Sequence, residues 1–170
     1  MKKIIKYRNL KINNKFAKSL NKKFKKFLKS GQYLPGLKLR EFEDKIAEYC
    51  DRKYCIAVSS GTTALYLALK SINLPKGSEV ICPAISWIAT AHAIVMAGYK
   101  PVFVDVNFDQ TISLNSFKRS INKNTKALMI VHFKGILGDI FSIMKEARKN
   151  NIIVIEDAAQ AFGAKKENKI

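Results

Sequence analysis

The chain has 170 residues, 48% hydrophobic and 26% charged, which suits one globular domain or part of a larger one. No apolar run is long enough to cross a bilayer, and Lys6 and Arg8 interrupt the apolar middle of a possible signal peptide. We therefore expect a cytoplasmic protein without a membrane partner. Three scattered cysteines and two histidines exclude a disulfide framework and form no ligand cluster, so we expect no metal.

The net charge of +18 is concentrated at the N-terminus, where residues 1–30 hold twelve Lys or Arg and no Asp or Glu. Such an arm can bind nucleic acid. However, an apolar stripe at helical spacing predicts an amphipathic helix whose lysines face water. The stripe consists of Phe16, Leu20, Phe24, Phe27 and Leu28. We expect residues 1–30 to form a helical segment that packs this stripe against protein and binds no nucleic acid.

Residues 31–170 form the second part of the chain, in which strands and helices are predicted to alternate. After a turn near Ser30-Gly31, apolar spacing from Leu39 to Tyr49 predicts a helix. The predicted strands are 54–59, 79–82, 101–106, 127–132 and 152–155. The helices between them are predicted at 62–71, at 87–97 with Gly98 as the C-terminal cap, from near Ser113, and at 139–150 with Asp139 as the N-terminal cap.

The apolar strands separated by helices predict an α/β fold with a mostly parallel sheet covered on both faces. In such sheets ligands bind at the carboxyl ends of the strands. Those ends carry Ser59-Ser60-Gly61, Pro83, Asp105, His132 and Asp157. The sequence therefore predicts a site made of loops along one edge of the sheet.

The run Ser59-Ser60-Gly61-Thr62-Thr63 connects a predicted strand to a predicted helix. Free N–H groups and the dipole at a helix start bind anions, and the two threonines can add hydroxyl donors to a phosphate. The same residues also suit an ordinary N-terminal cap. The residues themselves leave both interpretations open, but the lack of GxGxxG and Walker motifs disfavours dinucleotide and P-loop sites.

Asp157 follows an apolar strand and precedes two alanines and Gln160. A carboxylate there can keep the nitrogen of a pyridine ring protonated, with Gln160 within reach of a ring substituent, or it can simply cap the next turn. The single tryptophan, Trp87, can cover an aromatic ligand or lie in the core. His132 is expected to be a core or supporting residue, and Asp105 a turn cap.

Taken together, these segments resemble the DegT/DnrJ/EryC1/StrS family of aminotransferases, which depend on pyridoxal 5'-phosphate (PLP). The matching segments are Ser30-Gly31 with the following helix, SSGTTALYLAL, PAISWIATAHAI, GYKPVFVDV, TKALMIVHFKG and IEDAAQAFGA. The resemblance implies a truncated large domain of the aspartate aminotransferase fold (PLP fold type I), without the small C-terminal domain. It also implies that Gly61, Thr62 and Thr63 bind the cofactor phosphate. By the same resemblance, Trp87 stacks on the cofactor ring and Asp157 pairs with the ring nitrogen as a catalytic residue. Gln160 is implied to contact the phenolic oxygen of the ring.

By this resemblance the parent enzyme transfers an amino group from an amino-acid donor to a nucleotide-linked keto sugar in polysaccharide biosynthesis, as a homodimer. The lysine that holds the cofactor covalently would lie beyond residue 170, because Lys165, Lys166 and Lys169 are too close to Gln160. Lys134 and Ile136 also differ from the usual family residues. We therefore expect an incomplete and inactive enzyme; the alternatives are a sugar dehydratase of the same family, a basic binding module and a non-catalytic remnant.

Overall fold

The computed structural model describes residues 11–166, which form a four-stranded, fully parallel sheet. The strands are β1 (Glu79–Pro83), β2 (Lys100–Val104), β3 (Thr125–Val131) and β4 (Ile153–Asp157), in the order β2-β1-β3-β4. This arrangement confirms the predicted parallel α/β fold. The central strands β1 and β3 are almost wholly buried, while β2 and β4 form the two edges.

The helices begin and end close to the predicted positions. They are α1 (Asn14–Ser30), α2 (Leu37–Tyr49), α3 (Gly61–Ser71), α4 (Ala89–Met96), α5 (Leu114–Ser120) and α6 (Ile140–Lys149), with a short 3₁₀ turn at Phe133–Gly135. Asp139 caps α6 through a hydrogen bond to its side chain from the Ser142 N–H, and Gly98 follows α4 with a φ of +89°, as glycine caps do.

Two apolar layers cover the sheet, because successive strand residues point to opposite faces. Helices α3 and α4 cover one face, where Leu69 and Ile94 pack on Val80, Cys82 and Met129. Helices α5 and α6 cover the other face, where the core residues are Phe117, Ile143, Ile81, Leu128 and Ile130. The α3/α4 face and the α5/α6 face are therefore distinct sides of the molecule.

The predicted strand at 54–59 is wrong. This segment pairs with no strand within residues 11–166, and Tyr54 and Ile56 are mostly exposed. The Ala57 N–H donates instead to the Glu43 side chain at 2.8 Å. An apolar segment forms a strand only where a neighbouring strand accepts its backbone hydrogen bonds, and the described residues offer none.

Helix α1 is amphipathic, as predicted, but its apolar stripe stays open. Phe16, Leu20 and Phe24 are each about half exposed, and α1 buries no residue. Within residues 11–166, an edge-on contact between the Phe27 and Tyr33 rings supports its C-terminal turn. In this part of the chain, the expected packing of the stripe against protein therefore occurs at Phe27 but not at Phe16, Leu20 or Phe24. Residues 11–166 include no helix that is both long and apolar enough to cross a membrane.

Candidate functional site

The carboxyl ends of all four parallel strands lie along one side of the sheet, which we call its carboxyl edge. Pro83 pairs with Val104 and Val131 with Asp157, so the carboxyl ends lie side by side. Helix α3 runs opposite to the strands, because the Leu74 N–H just after it bonds to the Tyr99 hydroxyl at the start of β2. Gly61, at the other end of α3, therefore lies towards the carboxyl edge.

The start of α3 keeps free backbone donors. Ser60 caps the helix by accepting from the Thr63 N–H at 3.1 Å, and the Thr63 hydroxyl contacts the Ser60 hydroxyl at 3.0 Å. Within residues 11–166, the N–H groups of Gly61 and Thr62 donate to no acceptor. A Cβ on Gly61 would meet no atom within 4 Å, so the space beside these donors is open. The cap and the anion-binding interpretations are thus compatible: Ser60 makes the cap, and Gly61 and Thr62 leave backbone N–H donors for an anion.

Trp87 lies between the end of β1 and the start of α4, and its side chain is 72% exposed. Trp87 is therefore not part of the core formed by residues 11–166. Buried tryptophans contribute large apolar area to a core, whereas most of the surface of Trp87 is open. The side chain is thus available for stacking, and its stacking on a ligand stays a prediction.

Asp157 is the last residue of β4 and is half-buried. It lies two residues after Ile155, which packs on the α3/α4 face, so strand alternation places the Asp157 side chain on that face too. Its Oδ1 accepts from the Ala159 N–H at 3.0 Å, which is the turn-capping role considered from the sequence. No group within residues 11–166 donates to Oδ2, so one carboxylate oxygen stays available to a ligand.

Gln160 lies in the turn that follows β4, with its side chain exposed. Its Oε1 accepts from the backbone N–H of Lys134 at 2.9 Å. Sequence reasoning missed this contact because 26 residues separate the partners. The turn at Lys134 is thereby linked to the loop that carries Asp157 and Gln160.

His132 and Glu156 form a second contact between the same two segments. His132 is 2% exposed, and its Nε2 lies 3.0 Å from Glu156 Oε2. A carboxylate only accepts, so Nε2 carries the bonding proton. This hydrogen bond lowers the pKa of Glu156, against the opposing effect of burial and with smaller help from the charges of His132 and Arg52. The expected supporting role of His132 agrees with this position.

A cavity of about 650 Å³ lies away from the predicted cofactor residues. His132, Glu156, Phe141 and Arg148 line it on the α6 side, and none of the predicted cofactor residues does. Lys166 also lines it, with its Nζ against the Gly138 carbonyl oxygen and 5.6 Å from the centre of the Phe141 ring. Lys166 is therefore held on the α6 side, Lys165 is exposed, and Lys169 lies outside the described residues.

Comparisons with known proteins identify the family and fold of this chain. Residues 14–170 match the DegT/DnrJ/EryC1/StrS aminotransferase family. The chain is 39% identical over 155 residues to dTDP-3-amino-3,6-dideoxy-alpha-D-galactopyranose transaminase of Aneurinibacillus thermoaerophilus, covering 90% of this chain and 42% of that protein.

Two solved structures extend the comparison. NtdA from Bacillus subtilis, with bound cofactor PMP (pyridoxamine 5'-phosphate), has a TM-score of 0.84 at 34% identity, over 89% of this chain and 35% of that one. GDP-4-keto-6-deoxymannose-3-dehydratase, with a trapped PLP-glutamate geminal diamine, has a TM-score of 0.83 at 30% identity, over 88% of this chain and 41% of that one. The expected PLP fold type I is thus confirmed, and the chain spans about two fifths of the length of these relatives. The chain belongs to the DegT/DnrJ/EryC1/StrS aminotransferase family.

Proposed function

We propose that this chain is the N-terminal, cofactor-binding part of a PLP-dependent aminotransferase that acts on nucleotide-linked keto sugars. The observation that carries the proposal is the carboxyl edge of the sheet. The open start of α3, the exposed ring of Trp87 and the carboxylate of Asp157 all belong to that edge. A phosphorylated pyridine needs an anion site for its phosphate, an aromatic face for its ring and a carboxylate for its nitrogen, and this edge offers all three.

The phosphate group would bind at the start of α3. The free N–H groups of Gly61 and Thr62 donate to it, and the Thr62 and Thr63 hydroxyls add side-chain donors. Gly61 supports this fit because its missing Cβ leaves open space beside the donors. Ser60 keeps the helix capped, so binding an anion does not require the helix start to rearrange.

The pyridine ring would lie between Trp87 and the end of β4. Trp87 covers one face of the ring, and the free Oδ2 of Asp157 holds a proton on the ring nitrogen. With that nitrogen protonated, PLP supplies an electron sink for the negative charge that develops when the donor loses its Cα proton. The Gln160 amide would bind the phenolic oxygen of the cofactor.

The remaining parts of the proposed reaction come from outside the described residues. A lysine beyond residue 170 would hold the cofactor covalently and move the proton at Cα. The substrates are a nucleotide-linked keto sugar and an amino-acid donor such as glutamate, and the complete enzyme is a cytoplasmic homodimer. Residues 1–170 alone bind the cofactor but do not catalyse transfer.

A sugar dehydratase is the second candidate, supported by the similarity to the GDP-4-keto-6-deoxymannose-3-dehydratase structure. In that class a histidine takes the place of the cofactor-binding lysine. The distinction therefore depends on a residue outside this chain, and the phosphate and ring contacts proposed above apply to both candidates.

A chimeric enzyme tests the proposal. Residues 1–170 replace the matching N-terminal part of the Aneurinibacillus transaminase, and the product is assayed for amino transfer to a dTDP-linked keto sugar. We expect transfer in the chimera and a loss of about 10²-fold in kcat, or about 2.7 kcal/mol, in its Asp157→Asn variant. Asn keeps an oxygen for the Ala159 N–H, so its melting temperature should stay close to that of the parent. An Asp157→Asn variant with normal turnover would contradict the assignment of Asp157.

A further inference from the structure

The turn that follows β3 contacts the end of β4 and the loop after it at three points. The His132 N–H donates to the Asp157 carbonyl oxygen at 3.1 Å, and the His132 ring donates to Glu156 at 3.0 Å. The Lys134 N–H donates to Gln160 Oε1 at 2.9 Å. Every polar residue of the segment 156–160 is thus held by the 132–135 turn, and the third contact reaches a side chain proposed to bind the cofactor.

The backbone of this turn is in an unusual conformation. Lys134 has φ +57°, a left-handed value that residues other than glycine rarely adopt, and Gly135 follows with φ +80°. A Cβ on Gly135 would lie 3.3 Å from the Gln160 carbonyl oxygen. Such strain persists where surrounding contacts fix it, and it often accompanies functional positions. Here the left-handed conformation places the Lys134 N–H within hydrogen-bond distance of Gln160 Oε1.

The direction of the Lys134–Gln160 bond decides the orientation of the amide. A backbone N–H can only donate, so the atom that faces it is the amide oxygen, and the Gln160 NH₂ group is left to donate elsewhere. A phenolic oxygen that carries negative charge accepts from a donor and is repelled by an amide oxygen. The orientation seen here is therefore the one that suits the cofactor.

We propose that the Lys134 peptide N–H is a positioning group, which fixes the Gln160 amide so that its NH₂ group donates to the phenolic oxygen of the cofactor. This inference rests on the proposed function. The Lys134 side chain takes no part, since its Nζ lies over the Phe133 ring, 5.9 Å from the ring centre. The identity of the side chain at 134 is thus free to differ from that of relatives while the backbone contact is kept.

The first test needs no cofactor. In ¹⁵N-labelled chain, we expect the Lys134 N–H to be protected from hydrogen exchange, to stay protected in Gln160→Glu, and to lose protection in Gln160→Leu. Glu keeps an oxygen that accepts from this N–H, and Leu does not. Equal protection in all three proteins would overturn the proposal, because the amide would then not be held by Gln160.

The second test measures the affinity of the same chain for PMP by absorbance titration. Gln160→Glu replaces the donor with a charged acceptor and should weaken binding by roughly 10-fold or more. Gly135→Ala pushes the turn against Gln160 and should weaken it by about 3-fold or more. Gly77→Ala is the matched control, because Gly77 has φ +82° and open space around its Cβ. It should cost similar backbone strain and leave the affinity unchanged.

Different results would contradict the proposed cofactor site and the positioning role of the Lys134 N–H. If Thr63→Val weakens PMP binding while Gln160→Glu and Gly135→Ala bind like the Gly77→Ala control, the positioning role is wrong and the cofactor site stands. If the native chain shows no saturable binding of PMP, the proposed function is wrong. The positioning role towards the cofactor is then wrong as well, whatever the exchange data show for the Lys134–Gln160 bond.

Discussion

The Nε2 atom of His132 lies 3.0 Å from Oε2 of Glu156 and joins the ends of β3 and β4. Glu156 immediately precedes Asp157, and its side chain is on the α5/α6 side while Asp157 is on the α3/α4 side. The pair thus anchors the strand end that carries the proposed catalytic carboxylate without occupying the cofactor side of the sheet.

This pair predicts a specific dependence of stability on pH. The folded-state pKa of Glu156 lies below its ordinary value of 4.5, so the ionised carboxylate stabilises the fold above that pH and the contribution is lost as pH falls through the folded pKa. His132→Phe should lower the free energy of unfolding at pH 7 by about 1 kcal/mol, since the carboxylate is half exposed. Because this variant lacks the hydrogen bond that lowers the pKa of Glu156, its free energy of unfolding should fall less than that of the native chain between pH 6 and pH 3.5. Urea unfolding at both pH values measures this.

The control for this prediction is Glu156→Gln, which removes the titrating group. Other carboxylates with lowered pKa values, such as Glu79 beside Asn122 and Lys100, titrate in every variant and cancel in the comparison. An equal loss of stability on acidification in the native chain, His132→Phe and Glu156→Gln would contradict a contribution from this pair.

Thr63→Val separates the phosphate role of Thr63 from its structural role. Valine keeps the branched shape and the N–H that bonds to Ser60, but it removes the hydroxyl. We expect PMP affinity to fall by roughly 10-fold, as for the loss of one hydrogen bond to a charged group. Ser113→Ala, which weakens the N-terminal cap of α5, is the control for a merely loosened helix start and should bind PMP normally. Identical affinities in the two variants would contradict the phosphate role.

Lys165, Lys166 and Lys169 are expected not to hold PLP covalently. Lys166 is held by the Gly138 carbonyl oxygen on the α6 side, and Lys165 is exposed. Borohydride reduction of the chain with PLP, followed by peptide mapping, should give labels scattered over several lysines. A single stoichiometric label on Lys165, Lys166 or Lys169 would show that the catalytic lysine is within this chain.

Local sequence signals predicted most of the fold. Asp139, Ser113 and Gly98 act at helix ends through contacts within a few residues, so their roles can be inferred from spacing alone. The strand predicted at 54–59 was wrong, because an apolar run becomes a strand only when a partner strand lies beside it. The packing predicted for the α1 stripe was incomplete for a similar reason, since spacing predicts an apolar face but not what covers it.

The sequence proposes candidate site residues but not the contacts that hold them in place. Trp87 and Asp157 could be named from their places after strands, whereas whether Trp87 is buried depends on the surrounding fold. The contact between Lys134 and Gln160 joins residues 26 positions apart through a left-handed backbone. No periodicity or spacing rule indicates such a contact, so only the folded chain reveals it.

Trp87 offers the most direct measurement of the central claim, because it is the single tryptophan of the chain and lies where the cofactor ring is proposed to stack. Its fluorescence is followed while the 170-residue chain is titrated with PMP, with N-acetyltryptophanamide as the control for simple light absorption. The account predicts saturable quenching that inorganic phosphate competes away and that Thr63→Val shifts to roughly 10-fold higher PMP concentration. Quenching that never saturates, or that matches the free tryptophan control, would contradict a cofactor site at this edge of the sheet.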